Sequence, residues 1–404
     1  MKSSKMVVYQ LLMLMAFSGC GGSGGGSGSP APSVTGPSVA GNNVMSVTVN
    51  GSLCSGGTSD VNKPCVSVTV CSPGTGNCQT INDIILDTGS YGLRIFSQAL
   101  SVPLTQVSNS SGSIAECIVF GDGSALWGPV QTASVILGNE TAVQIPIQVA
   151  DVTFGSLPSA CRNASAGPSN PQTQYNGVLG VGLFAQDCGT SCVNSANIGM
   201  YYACSGTTCN NGTAVSLSSQ VINPVAALPH DNNGVIVQLP AVPGGVASSV
   251  SGSLILGIGT QSNNAPSGVT AYGADQAAEF TTTFSGTQYV GLLDTGSNGL
   301  FFPSPSATKL PACPSPNAAW YCPPAVTDLS ATNSGAGGSP SGVVPFLIGN
   351  ADSLFSTQNG VFSEVGGSAA NSFDWGLPFF FGRSVFVGID GTSSSLGTGP
   401  YWAY

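Results

Sequence analysis

The sequence predicts an all-β fold built as two related lobes, with few and short helices. Three observations carry that expectation. Short runs of alternating apolar and polar residues are separated by clusters of Gly, Ser, Asn and Pro, the pattern of half-buried strands joined by turns. Beyond the N-terminal segment, no stretch of a dozen residues keeps a 3.6-residue apolar period. One phrase also occurs twice. Ile84-Ile85-Leu86-Asp87-Thr88-Gly89-Ser90 is echoed by Gly291-Leu292-Leu293-Asp294-Thr295-Gly296-Ser297, so each half delivers one carboxyl from an apolar strand into a hydroxyl-rich turn.

From the N-terminus, Lys2 and Lys5 form a basic start, and residues 7–17 are an apolar run too short to span a bilayer. The segment closes on Ala16-Phe17-Ser18-Gly19-Cys20, which resembles a bacterial lipobox and implies lipidation of Cys20. Phe17 departs from the aliphatic residue usual there, and an ordinary signal peptide cleaved nearby is the alternative. Gly21, rather than Asp, follows the cysteine. By the same resemblance this favours an outer-membrane address, facing periplasm or exterior. The expected organisation is a signal and lipobox at 1–20, a flexible Gly/Ser/Pro tether at 21–43, an N-terminal lobe at 44–250 and a C-terminal lobe at 251–404.

Strands are expected at 44–50, 66–70, the run into Asp87, 118–120, 133–137, 144–149, 234–239 and 253–258. In the second half they fall at 279–284, 290–293, 343–348 and 379–387. An apolar-apolar-Gly run follows each acidic turn, Val178-Leu179-Gly180 after Asp87 and Phe380-Phe381-Gly382 after Asp294, which extends the duplication.

Composition narrows the chemistry. With 7 Lys and Arg against 17 Asp and Glu, the chain carries a net charge of −10, too acidic to neutralise a phosphate backbone, so no nucleic-acid partner is expected. Few cations also mean few native ion pairs to lose in acid. Thirteen cysteines fit an exported protein, and twelve remain once Cys20 is set aside. Only Cys313 and Cys322 lie beyond the second Asp-Thr-Gly, so pairing within lobes would join them; the pairing of the other ten stays open. The spacing of Cys188, Cys192, Cys204 and Cys209 also permits zinc, although oxidation is commoner outside the cell. No metal or cofactor is expected. The lone His230 has no nucleophile elbow to serve, and no Walker loop or dinucleotide fingerprint occurs.

The chain resembles a pepsin-like aspartic protease of the bilobal type. The residues that carry the likeness are the two Leu-Asp-Thr-Gly-Ser runs, residues 176–182, residues 381–386, and residues 252–257, which resemble the strand joining that family's lobes. It is especially similar to a group of bacterial exported proteins with paired Asp-Thr-Gly-Ser motifs. The resemblance implies a double β-barrel with pseudo-two-fold symmetry and a dyad of Asp87 and Asp294 sharing one proton, the arrangement for which aspartic proteases are the standard example. It implies that Thr88 and Thr295 lock the two turns together and that Ser90 and Ser297 hydrogen-bond the outer carboxylate oxygens. Gly89 and Gly296 let backbone approach the acids. Asp residues that merely cap tight turns are the alternative.

Residues 119–124 resemble the hairpin that covers the cleft in that family, with Phe120, Gly121 and Asp122 at the tip. Phe120 stands where the family has Tyr, which keeps an apolar cover and loses a hydroxyl; Trp127 or Tyr91 are candidate polar replacements. No charged residue lies between Cys20 and Asp60, so the basic prosegment of secreted relatives has no counterpart there. The expected function is an exported aspartic endopeptidase, acting as a monomer on peptide or unfolded protein and tied to the membrane through its N-terminal lipid. The alternative is a catalytically weak or inactive surface lipoprotein that binds peptide or another ligand.

Overall fold

A computed structural model describes residues 30–404, apart from 56–59, 166, 168–173, 305–307 and 309. The signal and Cys20 lie outside the described residues. The fold is all-β, a closed six-strand barrel with a half-barrel, and its two described α-helices are five residues each, Thr190–Asn194 and Ala351–Phe355. Gly, Pro and β-branched residues dominate, so strands are favoured and helices are broken early.

A six-stranded antiparallel sheet joins the lobes. Its strands run in the order Ala271–Gly273, Tyr401–Ala403, Arg383–Gly388, Gly234–Leu239, Val250–Leu256 and Val44–Val49. Segments from both sides of residue 250 therefore share one sheet, and the chain's end returns to its middle. Val44–Val49 continues onto Pro64–Cys71, which pairs with the first acid strand, Cys78–Asp87. The second lobe has its own sheet of seven strands, with Thr287–Leu293 at its centre.

The lobes are also tied by Asn62, which is fully buried. Its Nδ2 donates to the Asn298 and Phe362 carbonyls at 2.8 Å each, and its Oδ1 accepts the Phe362 N–H at 2.8 Å. Beneath the second site lies a ring cluster in which Phe302 stacks on Phe373 at 4.9 Å and Phe373 meets Trp375 at 4.3 Å.

Three sequence expectations change here. The tether was expected to reach residue 43, yet Val34–Thr35 pairs in parallel with Val250 and Ser251, so the fold begins earlier. That pairing is possible because Gly234–Leu239 reaches only Ser253–Leu256, leaving the start of Val250–Leu256 open on that side. The expected strand at 379–387 begins only at Arg383. Leu377–Phe380 is a 3-10 turn, set by Pro378 near its start, and Gly382 reverses the chain at φ 76°. The strand expected at 118–120 is the end of a longer one, Gly112–Val119, and Phe120 belongs to the turn.

Six disulfides close the described cysteines: Cys54–Cys65, Cys71–Cys78, Cys117–Cys161, Cys188–Cys192, Cys204–Cys209 and Cys313–Cys322. The four cysteines with zinc-like spacing are thus spent in two of these bonds. Such a set marks an exported, non-cytoplasmic chain. No helix among the described residues is long and apolar enough to cross a membrane.

Candidate active site

Each acid is delivered by the same three-strand device. Cys78–Asp87 runs into the turn at Thr88 to Ser90, and the chain leaves along Tyr91–Phe96. Gly177–Val181 then slots between them, parallel to the first and antiparallel to the second, with Gly180 opposite Asp87. In the other lobe Thr287–Leu293, Leu300–Phe302 and the inserted Ser372–Trp375 repeat the arrangement. All five residues of Gly177–Val181 are buried, which explains its near-continuous apolar sequence.

The inserted strand of the second lobe lies earlier than the sequence suggested. Leu293 pairs with Trp375 and the Asp294 N–H donates to the Trp375 carbonyl at 3.1 Å, so Gly376, not Gly382, corresponds to Gly180. A Cβ on Gly376 would stand 2.6 Å from the Ser297 carbonyl oxygen, a contact only glycine avoids.

The two turns grip each other reciprocally. Thr88 N–H donates to Thr295 Oγ1 and Thr295 N–H to Thr88 Oγ1, both at 3.0 Å. Thr88 Oγ1 donates to the Leu293 carbonyl at 2.9 Å, and Thr295 Oγ1 to the Leu86 carbonyl at 2.7 Å. Each hydroxyl accepts once and donates once, so no buried polar group is left over.

Around the acids the symmetry continues. Gly89 N–H donates to Asp87 Oδ1 at 2.8 Å and Gly296 N–H to Asp294 Oδ1 at 2.7 Å. Ser90 donates to Asp87 Oδ2, and Ser297 Oγ lies 2.9 Å from Asp294 Oδ2. The two carboxyls lie within hydrogen-bonding reach of each other. Gly89 sits so close to the opposite acid that a Cβ would fall 2.6 Å from Asp294 Cγ.

A model of the family described as Protein of unknown function (DUF3443) matches residues 39–404. The chain belongs to that family. No curated protein matches it. The match covers both acidic turns and both inserted strands of this DUF3443 chain.

Neither acid has any surface open to solvent. Burial is the chief cause raising both carboxyls above their ordinary value, and the charge of Asp87 raises Asp294 further. Asp374 and Asp187 are also raised, again chiefly by burial. A carboxyl whose folded value lies above the unfolded value of about 3.9 favours the fold below that value. It loses that contribution as pH rises through the folded value. The protein is therefore expected to unfold at a higher temperature near pH ~4 than near pH ~7. Calorimetric scans across that range check this.

The hairpin of Gly112–Val119 and Ala125–Ile136 carries its tip at residues 120–124. Phe120 is buried in an apolar cluster with Ile85, Tyr175 and Val178, while Gly121 is exposed. Asp122 Oδ1 accepts the Ser124 N–H at 2.8 Å, which stabilises the turn itself. Trp127 is committed elsewhere, donating from Nε1 to the Phe154 carbonyl at 2.8 Å. Tyr91 is buried where it feels the charges of both acids. Tyr175, not singled out from the sequence, is buried where it feels both Asp87 and Asp122.

Sequence reading also missed a buried charge cluster behind Asp87. Arg94 Nη2 binds Glu116 Oε1 at 2.7 Å and Asp187 Oδ2 at 2.9 Å, and Nη1 donates to the Tyr91 carbonyl at 2.6 Å. Tyr201 donates to Asp187 Oδ1 at 2.6 Å. Arg94 lies four residues past Ser90, and its charge favours the ionised form of Asp87. A lone Arg inside the apolar run Leu93-Arg94-Ile95-Phe96 was the available signal.

Proposed function

We propose that the protein is an exported aspartic endopeptidase with a pepsin-like dyad. The observation that supports this most is the reciprocal pairing of the two acidic turns, which brings Asp87 and Asp294 within hydrogen-bonding reach. Two carboxyls this close share one proton. The ionised member takes a proton from a water held between them. The neutral member donates to the carbonyl oxygen of the scissile amide and draws off charge as the oxygen of water attacks carbon. The tetrahedral adduct then collapses, the C–N bond breaks, and a proton passes to the leaving amine. The pair titrates as a unit, so neither acid owns the shared proton.

The substrate is an extended or unfolded peptide with apolar side chains beside the cut. Because the acids are closed off, entry requires the cover to move, and the hairpin tip at 120–124 is the element assigned that role. The N-terminal segment is proposed to anchor the protein through a lipid on Cys20, in the outer membrane.

A second reading is a pepsin-like fold used only to bind peptide or another ligand. The complete burial of both acids favours it. A peptide carrying a secondary alcohol in place of the scissile amide separates the two. On the enzymatic reading it binds at least ~10²-fold tighter than its amide parent, and Asp87→Asn removes that advantage. Equal affinity for both peptides, unchanged by the substitution, supports the binding scaffold.

A further inference from the structure

The Asp-Thr-Gly-Ser turns of the two halves are identical, but the strands inserted beside them differ in one charged side chain. Val178 pairs with Ile85 in the first lobe; the corresponding pair in the second is Asp374 with Leu292. An acid thus replaces an aliphatic side chain on the strand inserted beside the dyad. Strand alternation puts its neighbours Phe373 and Trp375 into the ring cluster and turns Asp374 to the other face, toward Ser297. Asp374 is fully buried. Its Oδ2 lies 2.5 Å from Ser297 Oγ, which is itself 2.9 Å from Asp294 Oδ2.

Proton counting constrains this chain of oxygens. A serine hydroxyl carries one hydrogen, yet Ser297 contacts two carboxyl oxygens at hydrogen-bond distance. One of those carboxyls must therefore supply a proton. Asp294 Oδ1 accepts the Gly296 N–H, whereas Asp374 Oδ1 has no partner. An ionised Asp374 would leave a bare, buried, charged oxygen, the costlier alternative. The titratable groups facing Asp374 are Asp294 and Asp87, both acids. No described cation forms an ion pair with it: Lys63 pairs with Asp60 and Asp83, Arg94 with Glu116 and Asp187, and Arg383 is held on the carbonyl and ring of Phe379. Ser90, the counterpart of Ser297, contacts Asp87 alone.

We propose that Asp374 is a neutral positioning acid that donates to Ser297, which in turn donates to Asp294, so that the site is a three-carboxyl chain rather than a symmetric pair. Asp374 touches no substrate. It fixes the direction of the Ser297 hydroxyl and polarises it, which strengthens the hydrogen bond that Asp294 receives. A hydrogen bond to the ionised form favours that form. The role in catalysis rests on the proteolytic reading; the protonation of Asp374 does not.

The test is infrared spectroscopy of the full chain at neutral pH, comparing wild type with Asp374→Asn and Asp374→Val. The expected result is loss of one protonated-carboxyl C=O band in both variants. Asn is nearly isosteric and keeps a donor toward Ser297, so that variant remains informative if Val perturbs the fold. An unchanged band in folded Asp374→Asn, or a carboxyl at 374 that titrates with the ordinary surface acids, overturns the proposal. The pH dependence of the dyad's own band gives a second reading. Asp374→Val is expected to move the pair's titration upward, and Asp374→Asn to leave it near wild type. A merely space-filling residue would move neither. Absence of peptide hydrolysis by wild type, with the band present and assigned to Asp374, would remove the proteolytic reading and leave the three-acid chain standing.

Discussion

Arg94→Met is expected to destabilise the protein by about 3–5 kcal/mol at neutral pH, the range for breaking a buried ion pair by removing one partner. Arg94, Glu116 and Asp187 have no surface open to solvent to speak of, and the guanidinium serves both acids at once. Met fills similar volume without charge, so the loss is electrostatic. Glu116 Oε2 already lacks a partner, and Oε1 would join it. Asp187 would keep only the Tyr201 hydroxyl. Without the guanidinium, the folded value of Asp187, already raised chiefly by burial, would rise further, so the deficit is smallest in acid and grows with pH. Urea unfolding near pH ~4 and pH ~7 should show that widening gap. The triple change Arg94→Met, Glu116→Gln, Asp187→Asn is expected to recover much of the stability, because no charge is left unpaired. A deficit that is the same at both pH values would contradict this account of the cluster.

Asp87→Asn and Asp294→Asn are each expected to lower peptide hydrolysis by about 10³-fold or more. On the proteolytic reading, the size follows from how the pair would work. A single amide cannot share a proton with the remaining acid, so water activation and carbonyl polarisation are lost together. The double variant is then expected to be little worse than either single one, as for residues that act as a unit. Neither change should unfold the chain. The grip between Thr88 and Thr295 involves no carboxyl, and Asn is close to isosteric with Asp.

Much of this site was legible because it is local and repeated. The acids, the threonines, the glycines and the serines sit within four residues of each other in both lobes, so one short phrase carries them all. The inserted strand at Gly177–Val181 was legible for the same reason, being apolar throughout. Its partner was not, because Asp374 interrupts the apolar pattern of Phe373-Asp374-Trp375-Gly376. The nearby Phe380-Phe381-Gly382 imitates that pattern better while forming a 3-10 turn and a reversal. The Arg94 cluster was hidden by distance, since its partners come from residues 22 and 93 positions away. Thr327–Ser334 was missed because half of a polar strand faces solvent and its pairing, not its composition, defines it. Val34–Thr35 was hidden inside a composition that signals a linker.

The most direct test is hydrolysis of an unfolded protein by the purified chain between pH ~3 and pH ~7, followed by mass spectrometry of the products beside Asp87→Asn, Asp294→Asn and the double variant. The expected result is acid-favoured cleavage by wild type, at sites flanked by apolar side chains, that all three variants lose to a similar degree. Equal product from wild type and the double variant across the whole range would contradict a water-activating pair at Asp87 and Asp294.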